Sequence, residues 1–321
     1  LLLAFFCLAV ILIKPQSVTA YNCTQTVPLS VKTVDFYVSP YSTIKAGDTV
    51  CIAAGNRSGI FEIKNFRGAA GNPIMFTNSG GKVRIDAQKN WTAVHLVNNE
   101  HIRLTGTGNS TDLYGIEIFN SGGSGAIRVA VKTRYVEIDN VEVHNVNGSG
   151  ISAKTSFSEI TDTNGNGSVR DEWRQYGTYI HHNWLHDIGA EGFYVGGSIW
   201  QEGKEPELEG VELAYNRIER TGWDGLQVGS AVKDVKVHHN VIVDAGLSED
   251  ARSGNGRFGM IVNRGTTGDW YNNKIYNSRS AGIYIQGGGN YRFYNNLIYN
   301  SGVAKRYDGI AWMVGSNGLF Y

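Results

Sequence analysis

The chain lacks the charge excess that marks many binding proteins: 29 Lys and Arg stand against 29 Asp and Glu in 321 residues. Proteins that hold phosphate backbones usually carry a basic surplus, so nucleic acid is set aside as a partner. Proline is scarce, at 5 residues, and the N-terminal segments up to Ile85 keep no sustained helical period. Long apolar runs are missing too. The longest such stretch, Leu1 to Ile13, covers 13 residues, against the ~20 needed to cross a bilayer as a helix. Small residues follow at Val18-Thr19-Ala20, so residues 1–20 read as a signal peptide and not as a membrane span. With no initiating Met and no basic segment ahead of the run, that leader is expected to be incomplete at its start.

Cysteine is nearly absent as well. Beyond the leader only Cys23 and Cys51 remain. In an exported chain an even pair can form a disulfide that staples the N-terminal arm to the first strands; two unpaired small residues are the alternative. Six Asn-x-Ser/Thr triplets, at Asn22, Asn56, Asn90, Asn109, Asn147 and Asn166, matter only in a eukaryotic secretory pathway.

What the chain does have is 41 Gly, 17 Tyr and a sentence written twice. Tyr179 to Val195 and Glu212 to Val228 fit one template: an apolar residue, two residues, Asn, one residue, an apolar residue, a short turn with Gly, then acid-Gly-apolar-x-apolar. Asn183 matches Asn216, Glu191 matches Asp224, and Gly192 matches Gly225. A repeat of more than 20 residues with fixed internal offsets marks a solenoid. The glycine slot can be followed through Gly115, Gly150, Gly192, Gly225, Gly259, Gly282 and Gly309, each ahead of a short alternating strand. The Asn slot recurs at Asn183, Asn216, Asn240, Asn273 and Asn296, at intervals of 24 and 23 residues where no loop intervenes.

Three strands of four or five residues and three turns fill such an interval, which predicts an all-β parallel β-helix with three strands per coil. Equivalent residues of successive coils would stack ~4.8 Å apart, and Asn at one turn would bond the Asn above and below. Val141 occupies the slot one coil earlier, so the ladder is expected to begin at Asn183. Residues 21–46 read as a lead-in or cap and 47–321 as the solenoid, with a loop inserted at 156–177. The ending Gly318-Leu319-Phe320-Tyr321 stops where Tyr291-Arg292-Phe293-Tyr294 continues to Asn295-Asn296, so one or more C-terminal coils are expected beyond it.

This coil pattern resembles the right-handed parallel β-helix superfamily of pectate-lyase type. The opening from Gly47-Asp48-Thr49-Val50 through Gly71-Asn72-Pro73-Ile74 is similar to the start of chondroitinase B and related alginate lyases. The resemblance implies a substrate groove along the strands that follow the glycine slot, and a secreted, periplasmic or cell-surface protein acting as a monomer on a polysaccharide. It is specific for fold and not for reaction, because such solenoids carry lyases, hydrolases and non-catalytic adhesins.

On those strands the middle residue should face out, giving an expected ladder of Glu117, Ser152, Tyr194, Gln227, Ile261, Tyr284 and Ala311. Tyr194, Gln227 and Tyr284 would stack on and hydrogen-bond sugar, although Tyr also suits any exposed strand. Glu191 and Asp224 are expected on adjacent rungs, where paired carboxylates raise one pKa or recruit a cation and could serve as catalytic acid and base. Ordinary Asp-Gly and Glu-Gly turns would look the same, as Asp308-Gly309 shows. A lyase acting on a uronic acid needs a base and a cation to neutralise the carboxylate. Lys154 is the candidate base, with Arg257 and Arg264 as the neutralising side chains. The contiguous Arg signature of pectate lyases and the acid motifs of polygalacturonases are absent.

Within the insertion, Asp162, Asn164 and Asn166 match the first half of a calcium loop, so Ca2+ is the cofactor to test; Trp173 stands where the loop's closing Glu would be. A solvated turn without an ion is the alternative. The pairs His181-His182 and His238-His239 are expected to pack as stacked rings at a turn remote from the glycine strand, with a metal site as the lesser alternative. The leading reading is a lyase or hydrolase of an acidic polysaccharide. Its competitor is an extracellular β-helix that binds glycan or spaces other domains without catalysis.

Overall fold

In the computed structural model the described residues are 21–108, 111–160, 172–198, 200, 203, 205–249, 256–302, 309–312 and 317–320. They form two sheets, one of 18 strands and one of 10. Every pairing between named strands is parallel, as the repeat requires. One coil runs Gln175–His181, Trp184–Ile188 and Phe193–Val195. The next runs Leu208–Ala214, Arg217–Thr221 and Leu226–Val228. The first two strands of each coil join the large sheet and the third, after the glycine slot, joins the small one.

Alternation decides which side chains point inward. Ile180 pairs with Leu213 and Leu213 with Val237; Leu185 pairs with Ile218, and Phe193 with Leu226. All of these are fully buried, so the core is a stack of apolar rows running along the solenoid. The slot glycine is required by that packing. A Cβ on Gly192 would lie 2.5 Å from Ile218 Cγ2, and one on Gly225 would lie 2.4 Å from Ile242 Cγ2. No side chain fits where the second strand of the following coil presses on the backbone.

The corner between the first and second strands is turned by one residue in the left-handed region: His182, Tyr215, His239, Asn272 and Asn295, with φ between 53° and 56°. Non-glycine residues adopt that conformation at a cost, and the adjacent Asn ladder offsets it. Asn183 Nδ2 donates to Asn216 Oδ1 at 3.1 Å, Asn216 to Asn240 at 3.0 Å, Asn240 to Asn273 at 3.1 Å and Asn273 to Asn296 at 2.9 Å. Each Nδ2 also donates to a backbone carbonyl one coil back, such as Ile180 O for Asn216 at 2.9 Å. The ladder begins at Asn183, whose Oδ1 caps the Val141 amide at 3.0 Å.

At the N-terminal end, Gln25–Val27 pairs with Thr49–Ser58 and Thr33–Asp35 with Phe61–Lys64, so the lead-in adds a strand to each sheet. Cys23 and Cys51 are bridged, with Cα atoms 5.5 Å apart. Buried Arg57 donates to the Val27 and Val31 carbonyls, both at 2.9 Å, and ties the lead-in to the first coil. Among the described residues no helix is long and apolar enough to cross a membrane.

One strand lies elsewhere than its sequence suggests. Ile116–Phe119 belongs to the large sheet, where Glu117 pairs with Arg84 and Glu142. The small-sheet strand of that coil is Gly125–Ala130. Gly115 precedes an alternating triplet just as the slot glycines do, but its neighbours in register are second strands of their coils.

Candidate active-site cleft

The outer row of the small sheet reads Glu62, His95, Arg128, Ser152, Tyr194, Gln227, Ile261, Tyr284 and Ala311. Arg128 replaces the expected Glu117, which faces out from a different side and accepts from Arg84 Nη2 at 2.9 Å. The row therefore carries a cation and a histidine that the repeat alone does not reveal. The alternation of Val94-His95-Leu96-Val97 and Ala126-Ile127-Arg128-Val129 is their only sequence signal.

Lys154 leaves its strand directly after Ala153 and returns over the row, placing Nζ 4.0 Å from the centre of the Tyr194 ring. The Tyr194 hydroxyl lies 3.0 Å from Ser198 Oγ. Beside Tyr194 a cleft of about 790 Å³ opens toward the turn that leads into the glycine strand, lined by Ser124, Ser149, Glu191, Trp223 and several glycines. Small residues line it because that turn is made of them: Gly122-Gly123, Gly148 and Gly189 occupy it in three successive coils.

Glu191 is a wall of this cleft. Ser149 Oγ donates to its Oε2 at 2.8 Å, and its carboxyl is otherwise withdrawn from water. Burial pushes its pKa up, against the pull of its backbone and Ser149 bonds and of the Lys154 charge. A carboxyl that holds its proton more firmly than usual beside an ammonium group is suited to donate a proton.

Asp224 does not face the cleft as the repeat implies. It is 3% exposed, and its Oδ1 accepts the Phe258 amide at 2.8 Å, so the following coil closes over it. Burial raises its pKa well above the ordinary carboxylate value despite that amide, and the neighbouring Glu191 charge adds to the rise. The two acids do occupy adjacent rungs, since Gly192 N donates to Asp224 O at 3.0 Å. Only one of them meets the cleft.

The remaining candidates separate. Arg128 pairs with Glu159 at 3.1 Å and lies 5.2 Å from the Trp91 ring. Trp91 meets His95 edge-on, and His95 lies 3.3 Å from Glu62, with burial lowering the His95 pKa. Gln227 is in the outer row beside Tyr194 but is buried. Tyr284 stacks on Phe258 at 4.3 Å in a small apolar cluster with Ile261 and Ala281, three rungs beyond Tyr194. Arg257 lies at the turn that seals Asp224 and approaches Glu249 at 3.8 Å, so it does not adjoin Lys154 in the row. Arg264 follows Val262 on the exit side of its strand, where its carbonyl accepts the Ser230 amide. The calcium candidates Asp162, Asn164 and Asn166 lie outside the described residues.

A larger groove, about 1170 Å³, runs over the first strands of the coils and is lined by alternating charges such as Arg103, Glu137, Glu212, Lys236, Asp269 and Arg292. At its wall, where Glu137 stands, the ligand atoms of Glu137, Asp139 and His181 lie within 4.8 Å of one another, a grouping that could hold a metal ion. Arg103 already answers both carboxylates, bonding Asp139 at 2.8 and 3.0 Å and reaching Glu137 at 3.2 Å. The third face is an ion-pair lattice. There His186 and Lys82 hold the Glu142 carboxyl down to about 2.

The architecture has solved relatives. An alginate lyase from Paenibacillus sp. str. FPU-7 superposes over 92% of this chain and 100% of its own, with a TM-score of 0.57 and 13% identity. The fold is a right-handed parallel β-helix. A GH136 lacto-N-biosidase from Eubacterium ramulus aligns with 87% of this β-helix and 62% of its own chain, at a TM-score of 0.48 and 13% identity. The PL6 family alginate lyase AlyGC aligns with 84% of this β-helix and 35% of its own chain, at 0.46 and 14%. No protein-family model matches the sequence, and no curated protein does.

Proposed function

We propose that this β-helix is an exported polysaccharide lyase that cleaves a uronate-containing chain by β-elimination at the Lys154–Tyr194 cleft. The observation that carries the reading is Lys154 poised over Tyr194 at 4.0 Å, next to a cleft whose wall is Glu191, a carboxyl whose pKa burial raises. Lys154 is the base that takes the proton from the carbon beside the uronate carboxylate. The electron pair left there forms the new carbon–carbon double bond as the bond to the glycosidic oxygen breaks, and Glu191 protonates that leaving oxygen. Arg128, one strand before Ser152 in the same row, is the cation that would neutralise the carboxylate, exchanging its Glu159 partner for the substrate. Tyr194 supplies a ring face for the sugar.

An acidic polysaccharide as substrate is also in keeping with the alginate lyase that shares the fold, although that likeness concerns architecture alone. The leader-like segment and the Cys23–Cys51 bridge favour export. The calcium assignment to Asp162, Asn164 and Asn166 remains part of this proposal, and a chelator that lowers activity reversibly would support it.

The decisive assay incubates the purified chain with uronate polymers and follows the ultraviolet absorbance of the unsaturated product. Absorbance that appears with the native chain and is lost in Lys154→Met supports elimination. New reducing ends without absorbance would show hydrolysis and overturn it, and binding with no cleavage of any polymer would leave a glycan-binding solenoid.

A further inference from the structure

Two pairs of neighbouring histidines stand apart from the cleft, at the sharp corner of their coils. His181-His182 and His238-His239 each precede an Asn of the buried ladder, and the two pairs are two rungs apart, with Ala214-Tyr215 between them. The first ring of each pair is buried and the second reaches the surface. His182 and His239 take the left-handed backbone conformation, with φ of 53° and 55°, which folds each ring back toward its predecessor. The rings stand nearly perpendicular, at 87° and 86°. As a result the two Nδ1 atoms converge, to 2.7 Å in the first pair and 2.9 Å in the second.

Two imidazole nitrogens held in adjacent positions on one metal ion, each at about 2.0 Å, lie about 2.8 Å apart. Both pairs have this bite. Their surroundings also match what metal-binding histidines use. His181 Nε2 donates to Glu137 Oε1 at 3.0 Å, and His238 Nε2 donates to Glu212 Oε1 at 3.1 Å. That bond places the proton on Nε2 and turns the Nδ1 lone pair toward the partner ring. The outer rings are held as well: Tyr215 lies between them, stacked 4.9 Å from His182 and 4.7 Å from His239. Burial, and then the charge of the preceding histidine, keep His182 and His239 below the ordinary histidine pKa, so both are neutral ligands at neutral pH.

We propose that each histidine pair is a two-nitrogen site for a divalent transition-metal cation of the Cu2+ or Ni2+ kind, completed by water. Copper is the strongest binder among divalent first-row ions at such nitrogen sites. Binding requires no net loss of protons. In the metal-free pair the outer ring's Nδ1–H bridges to the inner Nδ1; on binding, that proton moves to the outer Nε2. At His239 the Nε2 lies 3.1 Å from the Asn272 amide nitrogen, and rotating that amide presents its oxygen to the relocated proton. The site uses none of the cleft residues.

Calorimetric titration of the tag-free chain with CuCl2 near neutral pH tests it. Two equivalents are expected for the native chain, one for His182→Ala, one for His239→Ala and none for the double variant. All three should stay folded, and activity at the cleft should be unchanged. Electron paramagnetic resonance of the loaded chain should show two nitrogens per copper. Glu137→Gln should weaken the first site about ten-fold and leave the second alone, because that carboxylate supports only His181. No copper binding by the native chain, or full binding retained by the folded double variant, would overturn the proposal.

Discussion

The coils that start at Tyr179 and Glu212 obey one template, and their surfaces nevertheless differ. In the first, Glu191 opens on a cleft and accepts a side-chain hydroxyl from Ser149. In the second, Asp224 holds the same slot and is closed over, bonding the Phe258 amide instead. Both coils keep an acid ahead of the slot glycine, Glu in the first and Asp, one methylene shorter, in the second. What changed is the coil on either side: small residues before Glu191 leave space, and Phe258 after Asp224 fills it. The repeat determines where a side chain sits on the coil, and its neighbours along the axis determine whether a substrate can reach it.

The largest expected effect separates the cleft from the scaffold. Lys154→Met should lower turnover on a uronate polymer by about 10²–10⁴-fold, the usual worth of a positioned base, with the melting temperature unchanged. Activity retained within a few-fold would remove Lys154 from the chemistry. Next is the element both coils share. Asn216→Ala leaves the Ile180 carbonyl and the Asn183 donors without their partner and should cost about 3 kcal/mol in urea unfolding. Asn183→Ala, where the ladder begins and Oδ1 accepts a single amide, should cost less. Equal losses would mean that the ladder is not cooperative along the axis.

Titration sharpens the contrast between the acids. A carboxyl whose folded pKa is raised gives its full stability below the unfolded value of about 4, and loses it as pH rises through the folded value. Both acids are raised, Asp224 the more strongly. Asp224→Asn should therefore gain on the native chain as pH rises from about 4 toward neutrality, with turnover unaffected. Glu191→Gln should show a weaker form of the same gain and a clear loss of turnover. A loss of turnover in Asp224→Asn alone would exchange the two roles. The smallest effect is expected from Tyr194→Phe, which keeps the ring under Lys154 and removes only the hydroxyl contact with Ser198: a change of about 1 kcal/mol, seen as a several-fold fall in kcat/KM.

Much of the fold was legible because a solenoid repeats its constraints. The Asn ladder, its start at Asn183, the glycine slot and the three-strand coil each have a local chemical cause, and the cause recurs. The assignment of Gly115 failed for the same reason: an alternating triplet after glycine looks alike in any strand, and only pairing with Val83–Asp86 and Val141–Val146 places Ile116–Phe119 in the other sheet. The site was less legible. Lys154, Glu191 and Tyr194 do come together, whereas Asp224 is sealed and Arg257 and Tyr284 lie rungs away. Arg128 and Trp223 went unnoticed, since neither stands in a motif and both matter only through what lies beside them on the next coil.

The sequence by itself determined the period, the identity of inward and outward positions, and the residues at each corner, because backbone geometry and burial act over a few neighbouring positions. The tertiary structure alone decided that Lys154 folds over Tyr194, that Phe258 closes Asp224, and that paired histidines converge on 2.7 and 2.9 Å. Those contacts join residues brought side by side by stacking and corner geometry, and their distances depend on loop length and side-chain direction, which no single repeat contains.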